Sequence, residues 1–142
     1  MDRAALDAAL EAGVECGGWC PEGRKAEDGV LPIRYPLIEL TGAGYRQRTI
    51  RNVLDSQGTV IIYFGSPAGG TVQTLHFCIR EKRPYLLLDA GEFGVERSSE
   101  RIASFVEKHG ITVLNIAGPR ASREPGAYRY VYDVMSKYLN QE

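Results

Sequence analysis

The sequence predicts an α/β fold: a Rossmann-like three-layer sandwich in which helices cover both faces of a mostly parallel sheet. Apolar strand patterns alternate with helical patterns through the second half of the chain, and each of these strands leads into a glycine. Alternation at this spacing is typical of βαβ units. The strands are expected at 59–64, 85–88 and 111–117, and the helices at 71–82, 97–109 and 127–139. We expect one domain, residues 1–142, because this length suffices for one sizeable core.

Composition and charge argue against several classes of protein. The chain is 44% hydrophobic and 25% charged, as is typical of a soluble globular protein. Its formal net charge of -1 argues against a general nucleic-acid binder, which usually carries a basic excess. No apolar run approaches the ~20 residues that cross a bilayer, and residues 1–14 lack the apolar core of a signal peptide. We therefore expect no membrane partner and a cytoplasmic location, and the sequence is compatible with a homo-oligomer.

Cysteine and histidine are too few and too dispersed to indicate a metal centre. Cys16 and Cys20 are four positions apart, and no second ligand pair follows them. His76 and His109 stand far apart in the chain. We therefore expect no metal site and no catalytic triad, and we assign no catalytic residue.

A long irregular stretch interrupts the first half of the chain. Residues 17–29 show neither helical nor strand periodicity, and the segment from Pro32 to Pro36 extends this pattern. Loops of this length in compact domains are usually functional or disordered, and Trp19 argues against disorder. The elements expected around this stretch are a helix over 2–13, a short strand over 14–16 and a second helix over 45–55.

The strand at 59–64 leads into a glycine turn. Its six strand-forming residues have no polar break, so both faces of the strand are expected to be covered. Glycine lets a backbone approach a ligand closely, and the N–H groups and dipole of a helix N-terminus favour negative charge. We therefore expect this turn to hold a phosphate, with a tight turn that binds nothing as the alternative. The candidate residues are Gly65, Ser66, Gly69, Gly70 and Thr71.

The loops after the other two strands, 89–94 and 118–126, are expected to reach the same crevice. Ligands of open α/β sheets lie at the carboxyl ends of the strands. Arg120 suits a phosphate because its planar guanidinium can donate two parallel hydrogen bonds, although Arg120 and Arg123 also fit a solvated surface loop. Asp89 is expected either to meet a ribose hydroxyl or to cap its strand. The candidate ligand residues of the last loop are Gly118, Arg120 and Ser122.

Several blocks of residues resemble those of the putative molybdenum carrier family, and together they cover nearly the whole chain. The most specific block is Gly17-Gly18-Trp19-Cys20-Pro21. The other blocks are Gly23-Arg24, Ala26-Glu27-Asp28-Gly29, Tyr35-Pro36-Leu37, Arg51-Asn52-Val53 with Asp55-Ser56, Gly69-Gly70-Thr71 and Ala117-Gly118-Pro119-Arg120-Ala121-Ser122. The family resembles the lysine-decarboxylase-like phosphoribohydrolases, whose Rossmann-like relatives bind nucleotides or nucleotide-like ligands.

The resemblance implies a carrier or binding protein for a phosphate-bearing, nucleotide-like small molecule. The family name implies the molybdenum cofactor (molybdopterin), a pterin that bears a phosphate, and we include Arg24 among the ligand-binding candidates. A nucleotide-processing hydrolase is the alternative. The phosphoribohydrolases carry a catalytic Glu just after the glycine-threonine turn, whereas residues 72–74 of this chain contain no acid. Hydrolysis would therefore depend on Glu27 or Asp28.

The resemblance also bears on the start of the chain. Family members open with a strand and a Gly-Gly-Gln-Thr-Gly loop directly before an Asp-Arg-Ala-Ala-Leu-Asp segment. That segment is residues 2–7 here, and only Met1 precedes it in the sequence. We therefore expect a sandwich in which the N-terminal strand of the family is missing.

Overall fold

The computed structural model describes residues 2–21, 25–26, 29–30, 34–40, 45–67, 69–119 and 124–140. Its helices are α1 (Asp2–Ala12), α2 (Tyr45–Leu54), α3 (Gly70–Arg80), α4 (Val95–His109) and α5 (Ala127–Leu139). Its strands are β1 (Gly18–Pro21), β2 (Lys25–Ala26), β3 (Gly29–Val30), β4 (Leu37–Leu40), β5 (Gly58–Tyr63), β6 (Tyr85–Asp89) and β7 (Leu114–Ala117). Every element expected in the second half of the chain is present, with ends shifted by a few residues.

Strand β5 is the centre of a parallel sheet with the order β6-β5-β7. Val60 pairs with Leu86 on one side and with Ile116 on the other. Val60, Ile61 and Ile62 are fully buried, which confirms that both faces of this strand are covered. The prediction of an α/β fold with a parallel sheet is confirmed.

Helices pack on both faces of this sheet and so form three layers. On one face, Val60 and Ile62 join a core to which α1, α4 and α5 contribute. Side chains alternate along a strand, so Thr59 faces the other side, against which α3 packs with its buried Cys78. Cys78 in turn packs with Val53 of α2. The buried residues of the first core are Ala4, Ala8, Val60, Ile62, Leu88, Ile102, Phe105, Ile111, Ile116, Val131, Val134 and Met135.

The first half of the chain contains more strand than the sequence predicts. The strand expected over 14–16 is wrong, because these residues have no regular structure and β1 begins only at Gly18. Strand β1 pairs in parallel with β4, and β2 pairs antiparallel with β3. A Cβ at Gly18 would lie 3.2 Å from the side-chain oxygen of Asn52, so glycine allows β1 to approach α2 closely. Strands this short are set by their tertiary partners, and they show no readable period.

The strand expected over 111–117 is confined to β7. Gly110 ends α4 with a φ of +59°, a left-handed conformation that favours glycine. The side-chain oxygen of Gln57 then accepts hydrogen bonds from the backbone N–H groups of Thr112 and Val113. A side chain therefore satisfies these two N–H groups, while the Val113 carbonyl oxygen accepts the backbone N–H of Gln57 at 2.9 Å.

Helix α4 is the longest of the described helices, at 15 residues. It carries Glu96 in its first turn and both Lys108 and His109 in its last turn, which complements the helix dipole. Of the helices that the structure describes, none combines the length and apolarity needed to cross a bilayer.

Candidate ligand-binding site at the strand ends

The carboxylate of Asp89 joins the loops that follow β5 and β6. Its Oδ1 atom accepts hydrogen bonds from the backbone N–H groups of Gly65 and Gly91, each at 2.9 Å. Gly65 has a φ of +80°, in the region that favours glycine. Asp89 therefore acts as a cap. The N–H of Gly65, one of the predicted anion donors, already has Asp89 as its acceptor.

Helix α3 begins after a glycine, which has no side chain to cap the helix. Its N-cap residue, Gly69, has a φ of +54°, and the N–H of Gln73 donates to the Gly69 carbonyl oxygen at 3.2 Å. The first N–H groups of a helix have no acceptor within the helix, and they form the positive end of its dipole. Gly70 is exposed, and a Cβ placed on it meets nothing within 4 Å among the described residues. The described residues therefore leave the space beside Gly70 open.

The other predicted site residues have different surroundings. Thr71 is 4% exposed and belongs to the buried side of α3. Ser66 is exposed, and its N–H donates to the Phe64 carbonyl oxygen at 3.0 Å. Gly118 is half-buried and directly follows β7, so it lies at the same end of the sheet as the two glycine turns. Arg24, Arg120 and Ser122 lie outside the described residues.

Tyr130 of α5 contacts the loops that follow β5 and β6 at this end of the sheet. Its hydroxyl donates to the Phe93 carbonyl oxygen at 2.9 Å, so the Ser98 hydroxyl, 2.6 Å away, donates to Tyr130. Its ring lies edge-on to Phe64, with 5.7 Å between the ring centroids. Burial raises the pKa of Tyr130, and the charge of Asp89 acts in the same direction. Helix α5 therefore contacts the loops after both β5 and β6.

Tyr35 is the buried centre of a polar cluster that the sequence did not reveal. Its side chain is 1% exposed, and its hydroxyl donates to Asp7 Oδ1 at 2.7 Å. The same hydroxyl accepts hydrogen bonds from Arg3 Nε at 3.0 Å and from Arg34 Nη2 at 2.8 Å. Both guanidinium groups also lie over the Tyr35 ring, at 5.4 and 4.9 Å from its centroid. With Tyr128, these four residues form what we call the Tyr35 cluster.

The Tyr35 cluster lies at the same end of the molecule as the glycine turns. Tyr128 is in the first turn of α5, just beyond the carboxyl end of β7, and its hydroxyl donates to Asp7 Oδ2. Four residues further along both helices, Tyr132 donates to Glu11, so α1 and α5 run parallel. The first turns of both helices therefore lie near the carboxyl ends of the strands. Burial, followed by the bond to Asp7, raises the pKa of Tyr128.

One signal in the sequence could have indicated the Tyr35 cluster. Asp7 and Glu11 are four residues apart on one predicted helix, and Tyr128 and Tyr132 are four residues apart on another. Such matched pairs are expected when two parallel helices pack side by side, so that each residue pair meets at the same spacing. No comparable signal marks Tyr35, which comes from the stretch without periodicity.

The thiols and acids of the described residues form no metal site. Within those residues, no group of three or more His, Cys, Asp or Glu side chains is arranged to hold a metal ion. Cys78 is buried beneath the sheet, and burial raises the pKa of its thiol. A buried thiol of this kind packs as a small apolar side chain.

The layered parallel sheet, with its glycine turns and bracing helices at one end, defines a Rossmann-like α/β protein. The chain belongs to the circularly permutated YpsA SLOG family, whose model matches residues 1–139. It is also similar to a crystal structure from Syntrophus aciditrophicus SB that is called a putative molybdenum carrier protein. The two chains are 43% identical with a TM-score of 0.94, over 97% of this chain and 87% of that one. The predicted resemblance is thus confirmed, and no curated protein matches the sequence.

Proposed function

We propose that this protein binds and carries a phosphate-bearing, nucleotide-like small molecule at the carboxyl ends of its strands. The observation that carries the proposal is the start of α3. There, the N-cap residue Gly69 has no side chain to cap the helix, and the described residues leave the space beside Gly70 open. A phosphate oxygen at this position would be stabilised by the helix dipole and by the N–H groups.

The carboxylate of Asp89 favours a hydrogen-bond donor, rather than a second anion, as the ligand group beside the phosphate. Because its Oδ1 already accepts the N–H groups of Gly65 and Gly91, a second anion placed there would meet a carboxylate. A hydroxyl or a ring N–H of the ligand would instead find an acceptor in Asp89. This pattern suits a nucleotide or a pterin phosphate better than a bare anion.

The molybdenum cofactor is the cargo that we propose. The name of the similar protein from Syntrophus aciditrophicus SB supports this choice. The phosphate of such a pterin fits the open turn at Gly70, and its ring donors suit Asp89. Within the proposed site, Gly65, Ser66 and Thr71 shape the first turn and Gly118 borders the second loop. Arg24, Arg120 and Ser122 are proposed to supply further donors.

A carrier is favoured over a hydrolase by the residues that follow the glycine turn. Positions 72–74 in the first turns of α3 are Val, Gln and Thr, so the helix offers no carboxylate there for general acid-base catalysis. Incubation with nucleoside monophosphates, followed by chromatography, should release no free base. Release of base would contradict the carrier role and would favour the hydrolase.

The direct test of the ligand is the mass of any small molecule released when the purified protein is denatured. We expect a phosphate-bearing compound with a pterin or nucleotide ring. Asp89→Asn provides the matched variant, since the amide oxygen can still accept both N–H groups. We expect this variant to bind inorganic phosphate at least as well as the parent protein and to bind adenosine monophosphate less well. Equal losses for both probes would contradict the role assigned to Asp89.

A further inference from the structure

We propose that Arg34 is a second anion-binding residue at this end of the molecule, so that the ligand carries two acidic groups rather than one. The inference rests on the proposed function for its ligand, but the Arg34 contacts stand apart from the glycine turns. The first acidic group would lie at the start of α3, and the second would lie at the Tyr35 cluster.

The position of Arg34 follows from the contacts of α5. Tyr128 in the first turn of α5 reaches Asp7 of the cluster, and Tyr130 in the same turn reaches the loops that carry Phe64 and Phe93. The Tyr35 cluster and the strand-end loops therefore both contact the first turn of α5. A helix with its side chains is about 10–12 Å across, and the loop that carries Phe64 leads into α3, so we expect an extended ligand of nucleotide size to bridge the two regions.

Within the part of the chain that the structure describes, the polar contacts of the Arg34 guanidinium all involve one nitrogen atom, Nη2. Its Nη2 atom donates to the Tyr35 hydroxyl at 2.8 Å and lies 3.6 Å from Asp7 Oδ1. Among the described residues, Nε and Nη1 have no hydrogen-bond partner, and the side chain is 63% exposed. An arginine fixed in this way loses little side-chain entropy when it binds an anion, because its rotamer is already set.

Hydrogen bonds of the Tyr35 hydroxyl join two guanidinium groups to one carboxylate. Arg3 and Arg34 both donate to the Tyr35 hydroxyl, which donates to Asp7. Both oxygens of Asp7 already accept hydrogen bonds from tyrosines. A phosphate or carboxylate beside Arg34 would therefore add a negative charge where two guanidinium groups converge.

Arg80 provides a matched arginine at the other end of α3. Its guanidinium stacks on the Phe77 ring at 5.2 Å and pairs with Glu81 at 3.2 Å, and its side chain is 56% exposed. It therefore resembles Arg34 in ring stacking, ion pairing and exposure. It differs in position, because it lies at the C-terminal end of α3, away from the strand-end loops.

The test is a titration of the ¹⁵N-labelled protein with inorganic phosphate, observed through the arginine Nε–H signals at constant ionic strength. We expect a saturable shift of the Arg34 signal and no shift of the Arg80 signal. Arg34→Gln should weaken phosphate binding at the cluster about ten- to a hundredfold, as expected for the loss of hydrogen bonds to a charged group. Arg34→Lys should recover part of this loss, and Arg80→Gln should leave phosphate binding unchanged.

Gly70→Val separates the two proposals. If the Arg34 shift survives Gly70→Val, the cluster binds anions independently of the glycine turn, which supports the inference. If phosphate shifts only the Gly70 N–H, the glycine turn binds the anion and the inference about Arg34 is wrong. If phosphate shifts only Arg34, the inference stands and the anion site at the glycine turn is wrong. Arg34→Gln should also leave the melting temperature nearly unchanged, because an exposed ion pair adds little to stability.

Discussion

The glycine turns and the Tyr35 cluster place hydrogen-bond donors at the same end of the molecule by opposite means. At the turns, the proposed donors are backbone N–H groups, and Gly70 is exposed and has no side chain. In the cluster, the donors are arginine side chains held in position by a buried tyrosine. The difference shows that one end of a sheet can present hydrogen-bond donors through local backbone geometry and, separately, through tertiary packing.

Of all the substitutions proposed, Gly70→Val should have the largest effect, which is the loss of phosphate binding at the glycine turn. A Cβ at this position meets no described atom, so the helix should form as before, whereas a bound phosphate would be blocked. We expect loss of measurable phosphate binding at the turn by calorimetry, with an unchanged helical signal in circular dichroism. Gly70→Ala should give an intermediate loss. Full affinity in the valine variant would show that the turn binds nothing.

Arg120→Ala tests whether a side chain also serves the glycine turns. We expect a loss of about 1.5–3 kcal/mol in binding free energy, or roughly one to two decades in affinity. Arg120→Lys should recover only part of the loss, because a point charge does not reproduce the planar fork. Affinity for adenosine monophosphate equal to that of the parent would make Arg120 a surface residue.

Tyr35→Phe tests the second region through stability. The change removes one hydroxyl that serves Arg3, Asp7 and Arg34, while it leaves the ring in place. We expect the free energy of unfolding in urea to fall by about 1–3 kcal/mol, the cost of leaving a buried acceptor without its donor. Tyr138→Phe, on the partly buried side of α5, is the control and should cost less. Equal losses for the two variants would show that the hydroxyl of Tyr35 has no special role.

The fluorescence of Trp19 should show the smallest effect. Trp19 lies in β1, where its backbone pairs with Ile38, in the part of the chain that leads to Tyr35. If this segment forms a wall of the crevice, saturating ligand should change the emission of the only tryptophan. An unchanged spectrum would favour a role for Trp19 as a packing residue.

The second half of the fold could be predicted from the sequence because the patterns that indicate its helices and strands are local. The apolar run of β5 and the spacing of Ala127, Val131 and Val134 in α5 reflect burial on faces that repeat with the period of the backbone. The glycine that follows each strand likewise marked the end of the sheet where the turns lie. The single domain and the ligand contacts remain predictions.

The Tyr35 cluster and the pairing of β1 with β4 depend on packing between distant segments. Tyr35 donates to Asp7, which also accepts a hydrogen bond from Tyr128, and no local periodicity predicts contacts between residues so far apart in the chain. The cap formed by Asp89 is similar, since its partner Gly65 belongs to another strand end. Backbone preference and apolar periodicity thus determined the layers of this protein. Tertiary packing alone decided which polar groups meet, because a buried hydroxyl or carboxylate is stable only where its partners converge.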